Sequence, residues 1–362
     1  MIKSVYIHIP FCKNICHYCD FAKLHYHSNW VIQYLEELKK EILLEYKKDK
    51  IDTLYIGGGT PNCLSIDEFQ YLFEMIHIFQ FNTDYEFTVE CNIEDLNLEK
   101  IRIMKKAGVN RVSLGVQTLQ DKYLKLCNRK HNKEMVKKVV SSLKEEGITN
   151  INFDLMYGFP DQTVEDVKKD LMEYMEFDIS HISTYSLMIE PHTVFYHQGV
   201  KNIAEEVDAM MYELINQFLK ENYFQHYEIS NFSKEGYQSR HNLTYWNNEE
   251  YYGFGLGASS YVGEIRKTNT RHFKKYSTEK KIEEMEKITD LLKLEYEFIL
   301  GFRKIEGIHK ATFYEKYHMD MIKMPKVEEL LKKGDLKQNK EYIFIPEEKL
   351  YTSNEILLNF IS

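Results

Sequence analysis

Between residue 4 and about residue 230, short runs of β-branched and aromatic residues alternate with longer segments that are apolar on one helical face. A repeat of ~30 residues in this order is typical of βα units. The pattern predicts strands at 4–9, 53–56, 86–91, 111–115, 150–154, 181–187 and 225–230. It predicts helices at 29–47, 65–79, 97–107, 133–146, 163–174 and 204–221. Six parallel βα units that do not return to the first strand predict an α/β fold, a partial (β/α)6 TIM-type barrel.

The period breaks down after residue 230. Residues 231–275 look loop-like and aromatic and contain Gly253, Gly255 and Gly257, which favours a linker. From residue 276 to residue 362, the pattern predicts helices at 281–301, 311–317, 326–333 and 353–359 and a strand at 342–345. We therefore expect three parts: a barrel domain at 1–230, a linker at 231–275, and a small, mostly helical, winged-helix-like C-terminal domain at 276–362.

Three of the six cysteines, Cys12, Cys16 and Cys19, follow the first predicted strand at C-x₃-C-x₂-C spacing. Three thiolates cannot complete a structural zinc site, which takes four protein ligands. They suit three corners of a 4Fe–4S cube and leave its fourth iron open to a ligand that is not protein. The alternative is a set of unrelated buried thiols. The clustering favours the iron–sulfur interpretation, whereas the other three cysteines show no spacing and are expected to be ordinary reduced thiols.

Glycines and polar residues follow the other predicted strands. The run Gly57-Gly58-Gly59 follows the second strand, Glu90 ends the third, and Gln117 and Asp154 follow or end the fourth and fifth. Ligands collect at the carboxyl ends of parallel strands, so these positions predict the rim of an active site. The glycines would let backbone groups approach a ligand. The alternatives are a tight turn for the glycines and a solvated strand end for Glu90.

Two further residues carry a weaker signal. Arg129, in the run Cys-Asn-Arg-Lys-His, could pair with a carboxylate, although the sequence alone favours a surface position. His241 begins the run His-Asn-Leu-Thr-Tyr-Trp, which we expect to have an irregular backbone. Histidine is a common axial ligand of haem iron, and aromatic rings can stack on the macrocycle. A structural or solvated histidine is the alternative.

Composition and charge exclude several classes of protein. The chain is 43% hydrophobic, which excludes disorder, and its net charge of −9 argues against a nucleic-acid footprint. Residues 1–3 lead directly into a strand without the apolar segment of a signal peptide. No run approaches the ~18 apolar residues of a membrane span. We therefore expect a cytoplasmic protein in a reducing compartment.

Taken together, the motifs resemble those of a known family. The chain resembles the radical S-adenosylmethionine (radical SAM) proteins of the oxygen-independent coproporphyrinogen III oxidase-like family, and within it the haem chaperone branch. The resemblance covers nearly the whole chain and is carried by residues 6–12, 57–61, 115–117, 154–160, 181–187, 227–232 and 241–246.

The resemblance implies a site for each cofactor. Cys12, Cys16 and Cys19 would ligate a 4Fe–4S cluster, and S-adenosylmethionine would chelate the fourth iron. The family positions that contact one or two molecules of S-adenosylmethionine match Tyr6, Tyr18, Gly57, Gly58, Gly59, Glu90, Gln117, Arg129 and Asp154. Reductive cleavage of the sulfonium would give a 5′-deoxyadenosyl radical, which the protein positions.

Two departures select the branch. Phe21 stands where the coproporphyrinogen-converting enzymes carry a fourth cysteine, and the N-terminal extension of those enzymes is missing. The His-Asn-x-x-Tyr-Trp motif is typical of the haem chaperones, where it is associated with haem binding. The resemblance therefore favours haem as cargo, bound through His241, over porphyrinogen decarboxylation.

The expected partner is an acceptor haemoprotein, and a membrane respiratory enzyme is one candidate. Such an acceptor would bring this protein into peripheral contact with the membrane. Monomer and homodimer both stay open. A coproporphyrinogen III oxidase is the main alternative within porphyrin metabolism. A nucleic-acid-binding regulator that uses the C-terminal domain is the third hypothesis, and the acidic charge disfavours it.

Overall fold

The computed structural model describes residues 1–278 and 281–361. Its strands are β1 Ser4–Ile9, β2 Phe11–Cys12, β3 Leu24–His25, β4 Lys50–Gly58, β5 Gln80–Cys91, β6 Arg111–Gln117, β7 Asn150–Tyr157, β8 His181–Ser186, β9 Gln225–Glu228, β10 Asn231–Ser233, β11 Tyr252–Phe254, β12 Ser259–Val262, β13 Ile265–Asn269, β14 Ile282–Lys287, β15 Ile308–His309, β16 Lys337–Gln338 and β17 Tyr342–Phe344. Its α-helices are α1 Ser28–Glu45, α2 Ile66–Met75, α3 Leu98–Lys106, α4 Asp121–Leu126, α5 Lys133–Glu145, α6 Val164–Tyr174, α7 Val194–His197, α8 Glu205–Glu221, α9 Arg240–Trp246, α10 Phe273–Tyr276, α11 Asp290–Gly301, α12 Lys310–Tyr317, α13 Pro325–Lys333 and α14 Ser353–Leu357.

Six parallel strands, β1 and β4 to β8, lie side by side in chain order within a nine-stranded sheet. Helices between them pack on the outer face, where Val5, Ile7 and Ile9 of β1 are fully buried. Side chains alternate along a strand, so the residues between these, such as Tyr6 and His8, point to the inner face. The prediction of a partial (β/α)6 barrel is confirmed, and the carboxyl ends of its strands share one rim.

The segment 231–275 is not the irregular loop that we expected. Its strand β10 pairs antiparallel with β8, and its strand β11 pairs parallel with β1, so it extends the sheet at both edges. Helix α9 lies between these two strands in the sequence. Strands of three residues are too short for a periodic pattern, which is why the sequence did not show them. The domain boundaries at residues 230 and 275 stay a prediction.

The C-terminal part differs from the prediction at one helix. Residues 281–301 were expected to be one helix, but β14 occupies Ile282–Lys287 and α11 begins only at Asp290. Every side chain of β14 is exposed, and its backbone pairs with β13. This pairing overrides the helix propensity of a run rich in glutamate and lysine. The other predicted helices correspond to α12, α13 and α14, and residues 279, 280 and 362 lie outside the described residues.

The C-terminal part has a hydrophobic core of its own. Phe298, Phe302, Phe313 and Phe360 pack against one another, with ring centroids 4.6 to 5.9 Å apart. The short strands β15, β17 and β16 form a small antiparallel sheet beside the helices. The helical C-terminal region that we expected is therefore present.

Candidate functional site

A cavity of 440 Å³ opens at the carboxyl ends of the parallel strands, and we call it the cluster cavity. It brings together most of the residues that the sequence singled out. They are Cys12, Cys16, Tyr18, Cys19, Gly58, Gly59, Glu90, Gln117, Arg129 and Asp154. Gly57 lies directly behind its wall, whereas Tyr6 and His241 do not line it. The parallel strands and the loops that follow them therefore gather residues that are up to 142 positions apart, from Cys12 to Asp154.

The three cysteines of the N-terminal loop face this cavity as free thiols. Thr60 Oγ1 donates to Cys12 Sγ at 3.3 Å, and Arg129 Nη1 lies 3.7 Å from Cys16 Sγ. Burial raises the pKa of the Cys12 thiol to about 12, and burial also raises the pKa of Cys19. A thiolate at either position therefore needs a cation as its partner.

These donors fit an iron–sulfur cube. Three sulfurs converge on one cavity, and two of them already receive hydrogen-bond donors of the kind that stabilise coordinated thiolates. Within residues 1–278 and 281–361, no three His, Cys, Asp or Glu side chains are grouped closely enough for a single metal ion. A cube spaces its thiolates more widely than one ion does.

The three glycines at the end of β4 and just after it are required by close packing of the protein itself. A Cβ at Gly57 would lie 2.6 Å from the Glu90 carboxyl, and one at Gly59 would lie 2.6 Å from the Pro10 carbonyl carbon. Gly58 has a φ of +107°, and a Cβ there would collide with the His8 imidazole. A side chain at any of the three positions would therefore collide with neighbouring protein atoms, which explains three glycines where a turn needs one.

Two half-buried carboxylates form the inner wall. Glu90 accepts hydrogen bonds from Gly58 N at 2.9 Å and from the Tyr55 hydroxyl at 2.7 Å. Asp154 accepts from Asn152 Nδ2 at 2.8 Å and from Ser113 Oγ at 3.4 Å. Burial raises the pKa of both, with the neighbouring Glu90 charge as the second cause for Asp154, whose pKa is about 7.

Arg111 was missed by the sequence reasoning. It is 2% exposed, lines the cluster cavity, and makes one long hydrogen bond, to Thr88 at 3.5 Å. Its Nε has no partner among the described residues. Its charge opposes the rise in pKa of both Glu90 and Asp154. An arginine at the start of a strand gave no signal, because strand starts usually face away from the ligand rim.

Arg129 is buried, so the expectation of a surface position is wrong. Its guanidinium donates to the carbonyl of Gly115 and to Asn92 Oδ1, the latter at 2.6 Å. Glu94, which the sequence reasoning did not single out, lies 3.6 Å from Arg129 Nε and 3.3 Å from His131 Nδ1. The hydrogen bond with His131 and the charge of Arg129 lower the pKa of Glu94, although its burial opposes the shift. A loop between two short helices folds back into the cavity, which spacing alone could not reveal.

Gln117 and Tyr18 complete the rim as predicted. Gln117 ends β6 with a φ of +67°, a left-handed conformation that is uncommon for a residue with a side chain. Such conformations cluster at ligand sites, where the surrounding structure holds them. Tyr18 lies between Cys16 and Cys19 and lines the same cavity.

His241 lies beneath the cavity and is 1% exposed. It sits on helix α9, not on an irregular loop, since the carboxylate of Glu86 accepts from the first amides of this helix, Arg240 N at 2.9 Å and His241 N at 3.1 Å. Its Nδ1 is 2.8 Å from Thr53 Oγ1, and its Nε2 is 2.8 Å from the Tyr245 hydroxyl. Burial, with the Arg111 charge, lowers its pKa to about 3. The ring is therefore neutral, and both of its nitrogens are occupied.

Tyr6 faces a second cavity of 420 Å³, which we call the aromatic cavity. The Tyr6 hydroxyl lies 2.9 Å from His8 Nδ1. Tyr245 and Trp246, the aromatic end of the His-Asn-x-x-Tyr-Trp motif, also line this second cavity. Phe21 is 68% exposed and borders both cavities. The motif is therefore divided, with its histidine packed in the interior and its aromatic rings in a separate cavity.

A partial barrel with three cysteines and a glycine run at the rim defines a radical SAM protein. In agreement, the profile of the Radical SAM superfamily matches residues 6–173. The heme chaperone HemW of Bacillus subtilis is 38% identical over 99% of both chains, and that of Escherichia coli is 32% identical over 99% of this chain and 98% of its own. The chain belongs to the HemW family of radical SAM proteins.

A solved structure shows the same fold. Coproporphyrinogen III oxidase HemN from Escherichia coli, a radical SAM enzyme, aligns with a TM-score of 0.86 over 99% of this chain and 90% of its own, at 20% identity. The similarity extends over the barrel and the C-terminal region alike. In the described part of the chain, no helix combines the length and the hydropathy needed to cross a bilayer.

Proposed function

We propose that this protein is a haem chaperone that carries a 4Fe–4S cluster, binds S-adenosylmethionine, and hands haem to an acceptor haemoprotein. The observation that carries the proposal is the full-length similarity to heme chaperones HemW, at 38% identity over 99% of the chain. We place this function in the cytoplasm, in a monomer or homodimer that makes peripheral contact with a membrane where the acceptor is a respiratory enzyme. Nucleic acid has no part in it.

The cluster cavity supplies the cofactor site of this proposal. Cys12, Cys16 and Cys19 would hold three irons and leave the fourth open, as the convergence of their thiols supports. When bound, the cluster supplies an electron to the sulfonium of S-adenosylmethionine. Arg129 is buried, with Nη1 3.7 Å from Cys16 Sγ, and its guanidinium would pair with the carboxylate of that molecule.

The inner wall would orient the rest of S-adenosylmethionine. The carboxylates of Glu90 and Asp154 are fixed acceptors for ribose hydroxyls or an amino group, and backbone groups of Gly58 and Gly59 reach the same space. Because these side chains are held by Tyr55 and Asn152, little ordering is needed when the ligand binds.

Oxidation of coproporphyrinogen III is the alternative. The barrel fold is shared with HemN, so the fold does not separate the two functions. Phe21 does bear on the choice, because an exposed phenylalanine stands where the coproporphyrinogen-converting enzymes carry a cysteine. This departure favours the chaperone function.

One sample tests both functions. The full chain is reconstituted with iron and sulfide without oxygen, reduced, and supplied with S-adenosylmethionine. One half receives haem and then an apo-haemoprotein, and the other half receives coproporphyrinogen III. We expect haem binding and transfer, with no protoporphyrinogen formed. Formation of protoporphyrinogen, or haem transfer no faster than from free haem, would overturn the proposal.

A further inference from the structure

The aromatic cavity has the composition of a site for a flat, dianionic ligand. Tyr245, Trp246 and Tyr251 form an aromatic wall, and Leu300 of α11 adds an apolar contact from the C-terminal part. Phe21 at the rim is exposed, so the mouth of the cavity lies at the surface. A volume of 420 Å³ lies within the usual range of small-molecule sites, ~300–1,000 Å³.

Two arginines border this cavity, against one carboxylate, that of Glu249. Arg266 stacks between the rings of Tyr261 and Tyr296, with its guanidinium carbon 4.5 and 4.3 Å from their centroids. This packing holds the guanidinium in place, and its buried Nε has no partner among the described residues. Arg271 is exposed at the mouth and donates to the Asp20 carbonyl at 3.2 Å. The cavity therefore presents a net positive edge, on which Arg266 Nη2 also donates to Asn248 Oδ1 at 2.7 Å.

One phenol in the aromatic cavity is free to bind a metal. The other candidate ligands are occupied. The ring nitrogens of His8 contact the Tyr6 hydroxyl at 2.9 Å and the Ala22 carbonyl at 2.7 Å, and the Tyr245 hydroxyl contacts His241. The Tyr251 hydroxyl makes no hydrogen bond within the described residues, while its ring is fixed edge-on against Tyr245 at 4.6 Å. Burial raises the pKa of Tyr251, and the nearby Arg266 charge opposes that rise.

We propose that haem binds in the aromatic cavity, with Tyr251 as the ligand of its ferric iron and with Arg266 and Arg271 pairing with its two propionates. Tyrosine is an established type of haem ligand. On ligation, the phenol oxygen forms one bond to ferric iron and releases its proton to solvent. This inference rests on the proposed chaperone function, and it names a site and a ligand atom other than His241.

The buried position of His241 supports the choice of Tyr251. For His241 to reach iron, Nε2 would have to leave Tyr245 or Nδ1 would have to leave Thr53, and the ring would have to unstack from Tyr55, whose centroid is 5.1 Å away. Tyr251 needs no such rearrangement. A haem in the aromatic cavity would also lie next to Phe21, which separates it from the cluster cavity.

The test is a titration of ferric haem into the reconstituted full chain, followed by absorption and resonance Raman spectroscopy. The wild type is compared with Tyr251→Phe and His241→Gln, and thermal unfolding checks that each variant is folded. We expect Tyr251→Phe to lose the iron–phenolate stretch and to bind haem at least about tenfold more weakly. We expect His241→Gln to keep that stretch and to bind within about twofold of the wild type.

The arginines are tested with a modified ligand. Arg266→Gln and Arg271→Gln should each weaken the binding of haem but leave the binding of its dimethyl ester, which lacks the propionate charges, unchanged. Equal weakening for both ligands would remove the propionate assignment.

Failure of the proposed site and failure of the chaperone function would give different results. Wild-type spectra in Tyr251→Phe together with altered spectra in His241→Gln would overturn the proposed site and leave the chaperone function standing. A wild-type chain that does not bind haem would remove both.

Discussion

The cluster cavity and the His-Asn-x-x-Tyr-Trp motif were both singled out from the sequence, but the structure treats them differently. Cys12, Glu90 and Asp154 converge on one cavity, because parallel strands bring their carboxyl ends to one edge. His241 and Tyr245 are four residues apart on a helix, so they face the same side and hydrogen-bond to each other at 2.8 Å. Strand ends therefore predict a shared site, whereas a motif on a short helix can be a local structural pair.

Removal of one of the three cysteine thiols in the cluster cavity should have the largest effect, a loss of bound iron and sulfide. In Cys16→Ser we expect the anaerobically reconstituted protein to hold at least about tenfold less iron and sulfide, since an alcohol is a poor ligand for iron. Cys63→Ser is the matched control, because Cys63 is buried outside the cavity and donates to the Phe11 carbonyl. Iron analysis and visible absorption measure the effect, and equal loss in both variants would contradict the assignment.

The second largest effect should come from Arg129. Arg129→Met leaves Glu94 and Asn92 without their buried cation and removes the charge beside Cys16. We expect the affinity for S-adenosylmethionine to fall by at least about 30-fold, or ~2 kcal/mol. Arg102→Met is the control, since Arg102 pairs with Glu146 at the surface. Equilibrium dialysis of the reconstituted protein measures this affinity. An unchanged affinity in Arg129→Met would show that S-adenosylmethionine does not bind beside Arg129.

Asp154 should make the folded protein less stable as the pH rises. Its pKa is about 7 in the folded chain, against 3.8 for an ordinary carboxyl, so the folded state holds its proton longer than the unfolded state. The stability contributed by this group is complete below pH 3.8 and is lost as the pH rises to about 7. Without S-adenosylmethionine, the loss should be on the order of a few kcal/mol. Urea unfolding of wild type and Asp154→Asn measures it, and parallel pH profiles would contradict the expectation.

His241 should change the stability of the folded protein by a similar amount, but the stability should fall as the pH falls. Its pKa is about 3 when folded, against 6.5 for an ordinary imidazole, so the folded state favours the neutral ring. The stability it contributes is complete above pH 6.5 and is lost as the pH falls toward 3. The free energy of unfolding of His241→Gln should therefore depend less on pH than that of the wild type between pH 3 and pH 6.5. An identical acid dependence in wild type and variant would show that the ring is accessible to protons when folded.

Much of the fold and of the candidate site was predictable because both follow from the order of strands. The six central strands and the placement of Gly58, Glu90, Gln117 and Asp154 need only the βα alternation and the rule that parallel strands share an edge. These features depend on chain order, which the sequence states directly.

The rest depended on contacts that are distant in sequence. Arg129 and Glu94 are joined by loop folding, and β14 becomes a strand only because β13 lies beside it. The aromatic cavity combines residues from β1, α9, β13 and α11. No motif in any one of these elements predicts its contact with the other three. Sequence periodicity describes one element at a time, so it does not predict contacts between elements that are distant in the sequence.

Electron paramagnetic resonance of the reduced, reconstituted protein tests the central claim most directly, with and without S-adenosylmethionine. We expect a reduced 4Fe–4S signal that changes shape when S-adenosylmethionine is added, because three cysteine ligands would leave the fourth iron open and Arg129 would pair with the carboxylate of that molecule. In Arg129→Met, the change should require a higher concentration of that molecule. A protein that gives no cluster signal, or a signal that S-adenosylmethionine leaves unaltered at saturating concentration, would contradict it.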